Sequence, residues 1–221
     1  MIIWPRSLVA ACAAALLVVA AIPFPASAQA LNEQAQQHIR SAADQAVAVL
    51  ARKNLTAAEQ AEEMRGLVHQ YFGVDKIAQW VVGRYWRSAS EAERQEFLRL
   101  FEDFVLYSYA QQFSRYAGEQ LQIQKATTVA EDTALVESVI MRPKAETNPR
   151  VTWRVTRADG GLEIRDVLVE GVSMAQTQRA DFTATIQQRG GSLSGLNEAM
   201  AAKIAQLKAD AEARNGSQRG G

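Results

Sequence analysis

The sequence predicts an α+β fold in which helices come first, strands follow and helices return. Three observations carry this. Apolar residues recur at helical spacing from Leu31 to Tyr116, the period changes to two after Gly118, and helical spacing resumes at Thr177. The expected architecture is a curved, four-stranded antiparallel sheet covered by several helices.

Leu31 to Lys53 forms an amphipathic pattern with Ala35, Ile39, Ala42, Ala46, Val49 and Leu50 on one stripe. Thr56 with Glu59 is a capping box, opening a helix that turns Met64, Leu67, Val68 and Tyr71 inward. Gly73 breaks it. Val74 to Val82 is a short third helix closed by Gly83. Ser90 with Glu93 is a second capping box, and the long helix it opens runs toward Gly118. Phe97, Leu100, Phe101, Phe104 and Tyr107 make its apolar face, and Leu106, Tyr109, Phe113 and Tyr116 widen it. Glu96, Arg99, Glu102 and Asp103 form the side expected to stay wet. A face this wide is expected to pack against a sheet or to line a cavity.

Leu121 and Ile123 alternate with polar neighbours, and Ala134 to Met141 is almost wholly apolar or β-branched. Val151, Trp153 and Val155 alternate with Thr152, Arg154 and Thr156, and Leu162 to Val169 completes four strands. The connectors are Glu131-Asp132, a looser Pro143 to Pro149 loop, and the tight Asp159-Gly160-Gly161, so the strands form a meander. Thr177 to Gln188 carries Phe182 and Ile186. After Gly190-Gly191, a last helix carries Leu193, Leu196, Met200, Ile204 and Leu207. The polar tail 209–221 reads as disordered.

Residues 1–28 have the form of a secretory signal: Arg6, an apolar run from Leu8 to Ile22, and Ala26-Ser27-Ala28 before Gln29. An uncleaved anchor is the alternative, but the run is short for a membrane span and ends at Pro23 and Pro25. The alanine-rich leader points to a bacterial periplasm. The 24 basic and 24 acidic residues balance, and no basic block argues for nucleic acid. The single cysteine, Cys12, lies in the leader, so residues 29–221 contain neither a disulfide nor a catalytic thiol.

Catalytic signatures are missing. His38 and His69 lack a second ligand at metal spacing, and no nucleophile elbow or phosphate loop is present. Gly171-Val172-Ser173 lacks the second glycine of an elbow. Asp166 lies within a strand, and alternation places it on the face of Leu162, Ile164 and Leu168. It is either a structural ion pair or cap, with Arg179 or a helix N-terminus as partner, or a catalytic acid in a cone-shaped cavity. Glu170 is expected to cap the turn into the final helices. Together the aromatic helix and the curved sheet would enclose a tapering apolar space.

Several stretches resemble the toluene-tolerance (MlaC) family of periplasmic phospholipid carriers. They are Phe72-Gly73-Val74-Asp75, Val82-Gly83-Arg84-Tyr85-Trp86, the Ser90 to Tyr116 helix with its Tyr109-Ala110 step, and Asp166 through Met174 followed by Thr177-Gln178-Arg179 and Phe182. The resemblance runs from about Ala35 to Leu207. Leu162 stands where many relatives have tryptophan, and Thr177-Gln178 replaces an asparagine-tyrosine pair.

The resemblance implies a cone-like sheet of the nuclear-transport-factor type in a lipid-binding domain spanning 29–208. Its function would be to shuttle phospholipid, with no catalysis and no cofactor beyond the cargo. Its partners would be an inner-membrane ABC transporter complex with its substrate-binding membrane subunit and an outer-membrane lipoprotein–porin complex. The expected lipid-binding lining is Trp80, Val81, Phe97, Phe101, Phe104, Val151, Trp153, Val155, Val172 and Phe182. Alternatives are a hopanoid-associated binder, an enzyme of the same fold using Asp166, and a chaperone or scaffold with a solid core.

Overall fold

A computed structural model describes residues 26–52, 55–113, 118–142 and 147–219. The expected leader lies almost wholly outside these residues, as do Tyr116, most of the Pro143 to Pro149 loop and the side chains of Tyr109 and Phe113.

Helix α1 (Ala26–Leu50) lies across one face of the sheet, and α2 (Ala57–Tyr71) packs beside it. Both capping boxes form as the sequence predicts. Glu59 N–H donates to Thr56 Oγ1 over 3.2 Å while Thr56 N–H donates to Glu59 over 2.8 Å. Ser90 and Glu93 repeat the exchange at the start of α5 (Glu91–Phe113). Between them lie α3 (Val74–Val82) and the single-turn α4 (Arg84–Ser88). Gly83 separates these two at φ 54°, and a Cβ there would stand 2.8 Å from Arg179 Nη2. Only glycine combines that backbone with that approach.

The sheet is antiparallel throughout, in the order β1 (Gln120–Ala130), β2 (Thr133–Met141), β3 (Arg150–Ala158), β4 (Gly161–Val169) and β5 (Val172–Ser173). The meander and the α+β class are those expected, but there are five strands rather than four. The fifth arises because Glu170 (φ 49°) and Gly171 (φ 82°) form a two-residue hairpin turn with positive φ at both positions, folding Val172 back onto Val169. Glu170 does not cap the final helices. Its carboxylate instead accepts the Arg150 backbone N–H over 2.6 Å, joining the turn to the start of β3.

Helix α6 (Met174–Gln188) begins before the expected Thr177, because Ser173 is its N-cap and accepts the Gln176 N–H over 3.0 Å. Helix α7 (Leu193–Arg219) continues through residues that composition reads as disordered. The alanine-rich run from Ala209 to Ala213 has high helix propensity and continues a helix already nucleated by packed residues.

Two cores result. One joins α1 and Tyr71 to the sheet through Leu31, Ala35, Ile39, Ala134, Val136, Val155 and Ile164. The other is wholly helical and contains Val81, Phe97, Phe101, Phe182 and Ile186. Helix α5 therefore does not use its aromatic face against the sheet, which α1 covers. It packs against α7, α2 and α3.

The expected wet side of α5 is correspondingly half dry. Glu96 and Arg99 are exposed, but Glu102 and Asp103 are partly buried by α2 and α7. Arg65 of α2 donates to Glu102 and, over 2.7 Å, to Asp103, and Lys208 of α7 reaches Asp103 over 3.1 Å. Burial would raise the Asp103 carboxyl, but the bonds from Arg65 and Lys208 outweigh it and hold it below the ordinary carboxylate range. A depressed folded value stabilises the fold above the unfolded value of about 4, and that stability is lost as pH falls through the folded value. Asp103→Asn is therefore expected to be less stable at neutral pH and to lose less stability below about pH 4. Urea midpoints measured across pH would show this; unchanged acid sensitivity would contradict it.

Candidate functional site

One face of the sheet is mostly apolar, interrupted by Thr128, Ser138 and Arg157. In the observed register it carries Leu121, Ile123, Ala126, Val136, Val151, Trp153, Val155, Ile164, Val167, Val169 and Val172. Helix α1 covers the part around Val136, Val155 and Ile164. Toward the β4–β5 turn the same face opens, and Val172 is 56% exposed. Trp153, half-buried in between, donates its indole N–H to Ser138 Oγ over 2.9 Å, and Ser138 in turn donates to the Val151 carbonyl over 2.9 Å. The ring's one polar atom is thereby satisfied within the protein, leaving its remaining surface free for apolar contact.

Across the molecule the aromatic cluster of the helical core centres on Phe182 of α6. Its ring lies 6.0 Å from Phe97, 6.2 Å from Phe101 and 5.7 Å from Phe104. The ten lining residues named from sequence therefore fall into three places. Val81, Phe97, Phe101, Phe104 and Phe182 come together in the helical core, while Val151, Trp153, Val155 and Val172 share the apolar sheet face. Trp80 stands apart, 44% exposed on α3, with the Arg179 guanidinium 4.8 Å over its ring. The two main groups do not share one cluster; Phe72, which packs on both, is the bridge between them.

Asp166 is not on the face that simple alternation gives it. Arg154 pairs with Asp166 but Val155 pairs with Ile164, so Arg165 is a β-bulge. The bulge turns Asp166 away from Leu162 and Ile164 and toward α6. There Oδ1 accepts the Val167 and Ala175 N–H groups over 2.8 and 3.1 Å, and Oδ2 accepts the Ser173 hydroxyl over 2.6 Å. Of the partners considered from sequence, the helix N-terminus is the real one. Arg179 instead donates to the Trp80 carbonyl over 2.9 Å. Both Asp166 oxygens and the Ser173 hydroxyl are thus committed to shaping the β5–α6 junction.

The histidines have similar local roles. His38 Nε2 lies 3.1 Å from the Tyr71 carbonyl, where burial lowers its imidazole and that bond raises it in part. His69 lies 3.0 Å from Glu102. Beside Trp80, α3, α6 and the polar face of the sheet enclose a cleft of about 350 Å³. Sequence reasoning missed this cleft, although Arg154 between two inward apolar residues was a visible signal.

A family model for the MlaC protein matches residues 40–202. The chain belongs to the MlaC family. Among proteins of the MlaC family, the intermembrane phospholipid transport system binding protein MlaC of Haemophilus influenzae is 21% identical over 123 residues, 54% of this chain. The match spans 58% of that MlaC protein, less than two thirds of its length. Among solved structures, a phospholipid-binding protein from Ralstonia solanacearum, in complex with a phospholipid, has a TM-score of 0.70 at 19% identity. The match covers 79% of this chain and 99% of that one, so the two share a fold. Among the described residues of this MlaC-family chain, no helix is long and apolar enough to cross a membrane.

Proposed function

We propose that this chain is a periplasmic phospholipid carrier, exported by a cleaved leader at 1–28, whose lipid-binding unit is the rest of the MlaC-like fold. The carrying observation is the apolar face of the sheet, closed by α1 at one end and open at Val172 and Val169 at the other. Each acyl methylene moved out of water is worth about 0.8 kcal/mol, so two chains of about fifteen carbons represent on the order of 20 kcal/mol. A lipid crossing an aqueous compartment needs such a face to cover it. The acyl chains lie along this face where it opens beyond α1, at Trp153, Val169 and Val172.

In this reading the chain takes lipid from, or delivers it to, an inner-membrane ABC transporter complex and an outer-membrane lipoprotein–porin complex. It performs no reaction on its cargo. The commitment of Asp166 and Ser173 to the β5–α6 junction favours this over an enzyme using Asp166.

Transfer of fluorescent phospholipid between donor and acceptor vesicles tests the reading. Val172→Asp places a charge at the open end, where the residue is too exposed for the fold to depend on it. It is expected to slow transfer about tenfold, equivalent to about 1.4 kcal/mol, with the urea midpoint unchanged. Undiminished transfer would move the lipid path elsewhere.

A further inference from the structure

The open part of the apolar face has a sharp inner limit. Ser138, Val151, Val169 and Val172 lie side by side across four strands and are 2%, 3%, 36% and 56% exposed, so this rung opens only toward the β4–β5 edge. The next rung inward is Val136, Trp153 and Val167. Val136 is fully buried, while Trp153 and Val167 are half-buried. Beyond them Ala134, Val155 and Ile164 are fully buried in the cluster that α1 closes. Trp153 and Val167 are therefore the last residues that a chain coming inward from Val172 can touch before the face closes.

The Trp153 ring is also held in place. Its register partner is Val136, yet its indole N–H donates to Ser138 Oγ, two residues nearer the open end, over 2.9 Å. Diagonal neighbours on one face of an antiparallel pair stand about 7–8 Å apart, a gap that aromatic and long side chains span. The bond therefore lays the indole across the face, over the β2–β3 pair. Ser138 is fixed in turn, because its hydroxyl donates to the Val151 carbonyl over 2.9 Å. The ring also packs on the buried cluster to which α1 contributes Leu31, Ala35 and Ile39. Swinging it aside would break the bond to Ser138 and disturb that packing.

We propose that Trp153 is the stop that sets how much of an acyl chain this face accepts, and that Ser138 is the positioning residue that holds the stop. The inference rests on the carrier reading and adds to it a preference by acyl-chain length. Methylenes on the open side of Trp153 leave water, and those beyond its reach gain nothing from the face.

Titration calorimetry with monomeric monoacyl phosphatidylcholines, from octanoyl to palmitoyl, tests it on wild type, Trp153→Ala, Trp153→Phe and Ser138→Ala. A urea melt verifies that each variant folds; Trp153→Phe keeps a ring and serves where Trp153→Ala does not fold. Each methylene removed from water is worth about fourfold in affinity, equivalent to about 0.8 kcal/mol. Wild type is expected to gain that factor per methylene up to one chain length and nothing beyond it. The tryptophan variants are expected to go on gaining to longer chains. Ser138→Ala is expected to do the same, with the Trp153 indole N–H resonance shifted by the loss of its acceptor. A serine that only supported the fold would leave the levelling point where it is. A levelling point unmoved in the tryptophan variants, or no levelling in wild type, overturns the stop. A wild-type levelling point in Ser138→Ala, with the indole resonance shifted, overturns the positioning role. If wild type binds none of these lipids, the carrier reading itself fails.

Discussion

Truncating Phe97 to alanine is expected to destabilise the fold by about 3–5 kcal/mol, the range for losing a large side chain from a packed core. Phe97 is fully buried. Its ring meets Phe182 edge-on at 6.0 Å, Phe101 at 5.8 Å and Trp86 at 6.5 Å, so three aromatic contacts vanish together with the buried area. The residue joins α5 to α6 and to the α4 turn, none of which can close over the void without moving the others. Urea unfolding should show a lowered midpoint with an unchanged slope. A loss below about 1 kcal/mol would mean that the helical core repacks freely.

Asp166→Ala is expected to cost about 3 kcal/mol, although the carboxylate makes no ion pair with an arginine. Three donors lose a charged acceptor at once: the Val167 and Ala175 N–H groups and the Ser173 hydroxyl. Ser173 is itself buried and caps α6, so its freed hydroxyl stays inside the protein. The double variant Asp166→Ala/Ser173→Ala should therefore cost less than the two single losses added together, since removing both partners leaves fewer stranded groups. Strict additivity in a double-mutant cycle would contradict the direct coupling.

Legibility in the sequence followed the range of the interaction. Thr56 with Glu59 and Ser90 with Glu93 are local chemistry, and both helix starts stand where they were expected. The meander was equally visible, because alternation and short turns leave few other pairings. The Arg165 bulge was not, since one extra residue in β4 leaves no mark on composition yet moves Asp166 to the other face. Glu102 and Asp103 looked solvated because the helix carrying them is amphipathic by itself; only the arrival of Arg65 and Lys208 from distant helices buries them.

The candidate site divides in the same way. Aromatic residues at helical spacing do meet, and Val151, Trp153 and Val155 do share the apolar face chosen for them. What the pattern could not give was the partition between partners. Helix α1 was free to cover the sheet in place of α5, and its small Ala35 between Leu31 and Ile39 lets it lie close against Ala134 and Val136. Trp80 reads as core by residue type, but the Arg179 guanidinium and the neighbouring cleft keep it at the surface.

The central claim is that this fold carries one phospholipid in its apolar interior. Native mass spectrometry of the purified chain, with lipid extracted from the same sample, tests it most directly. The account predicts a species heavier than the bare chain by one diacyl phospholipid, with the same lipid in the extract. A bare mass alone, no phospholipid in the extract and no uptake from vesicles would contradict it.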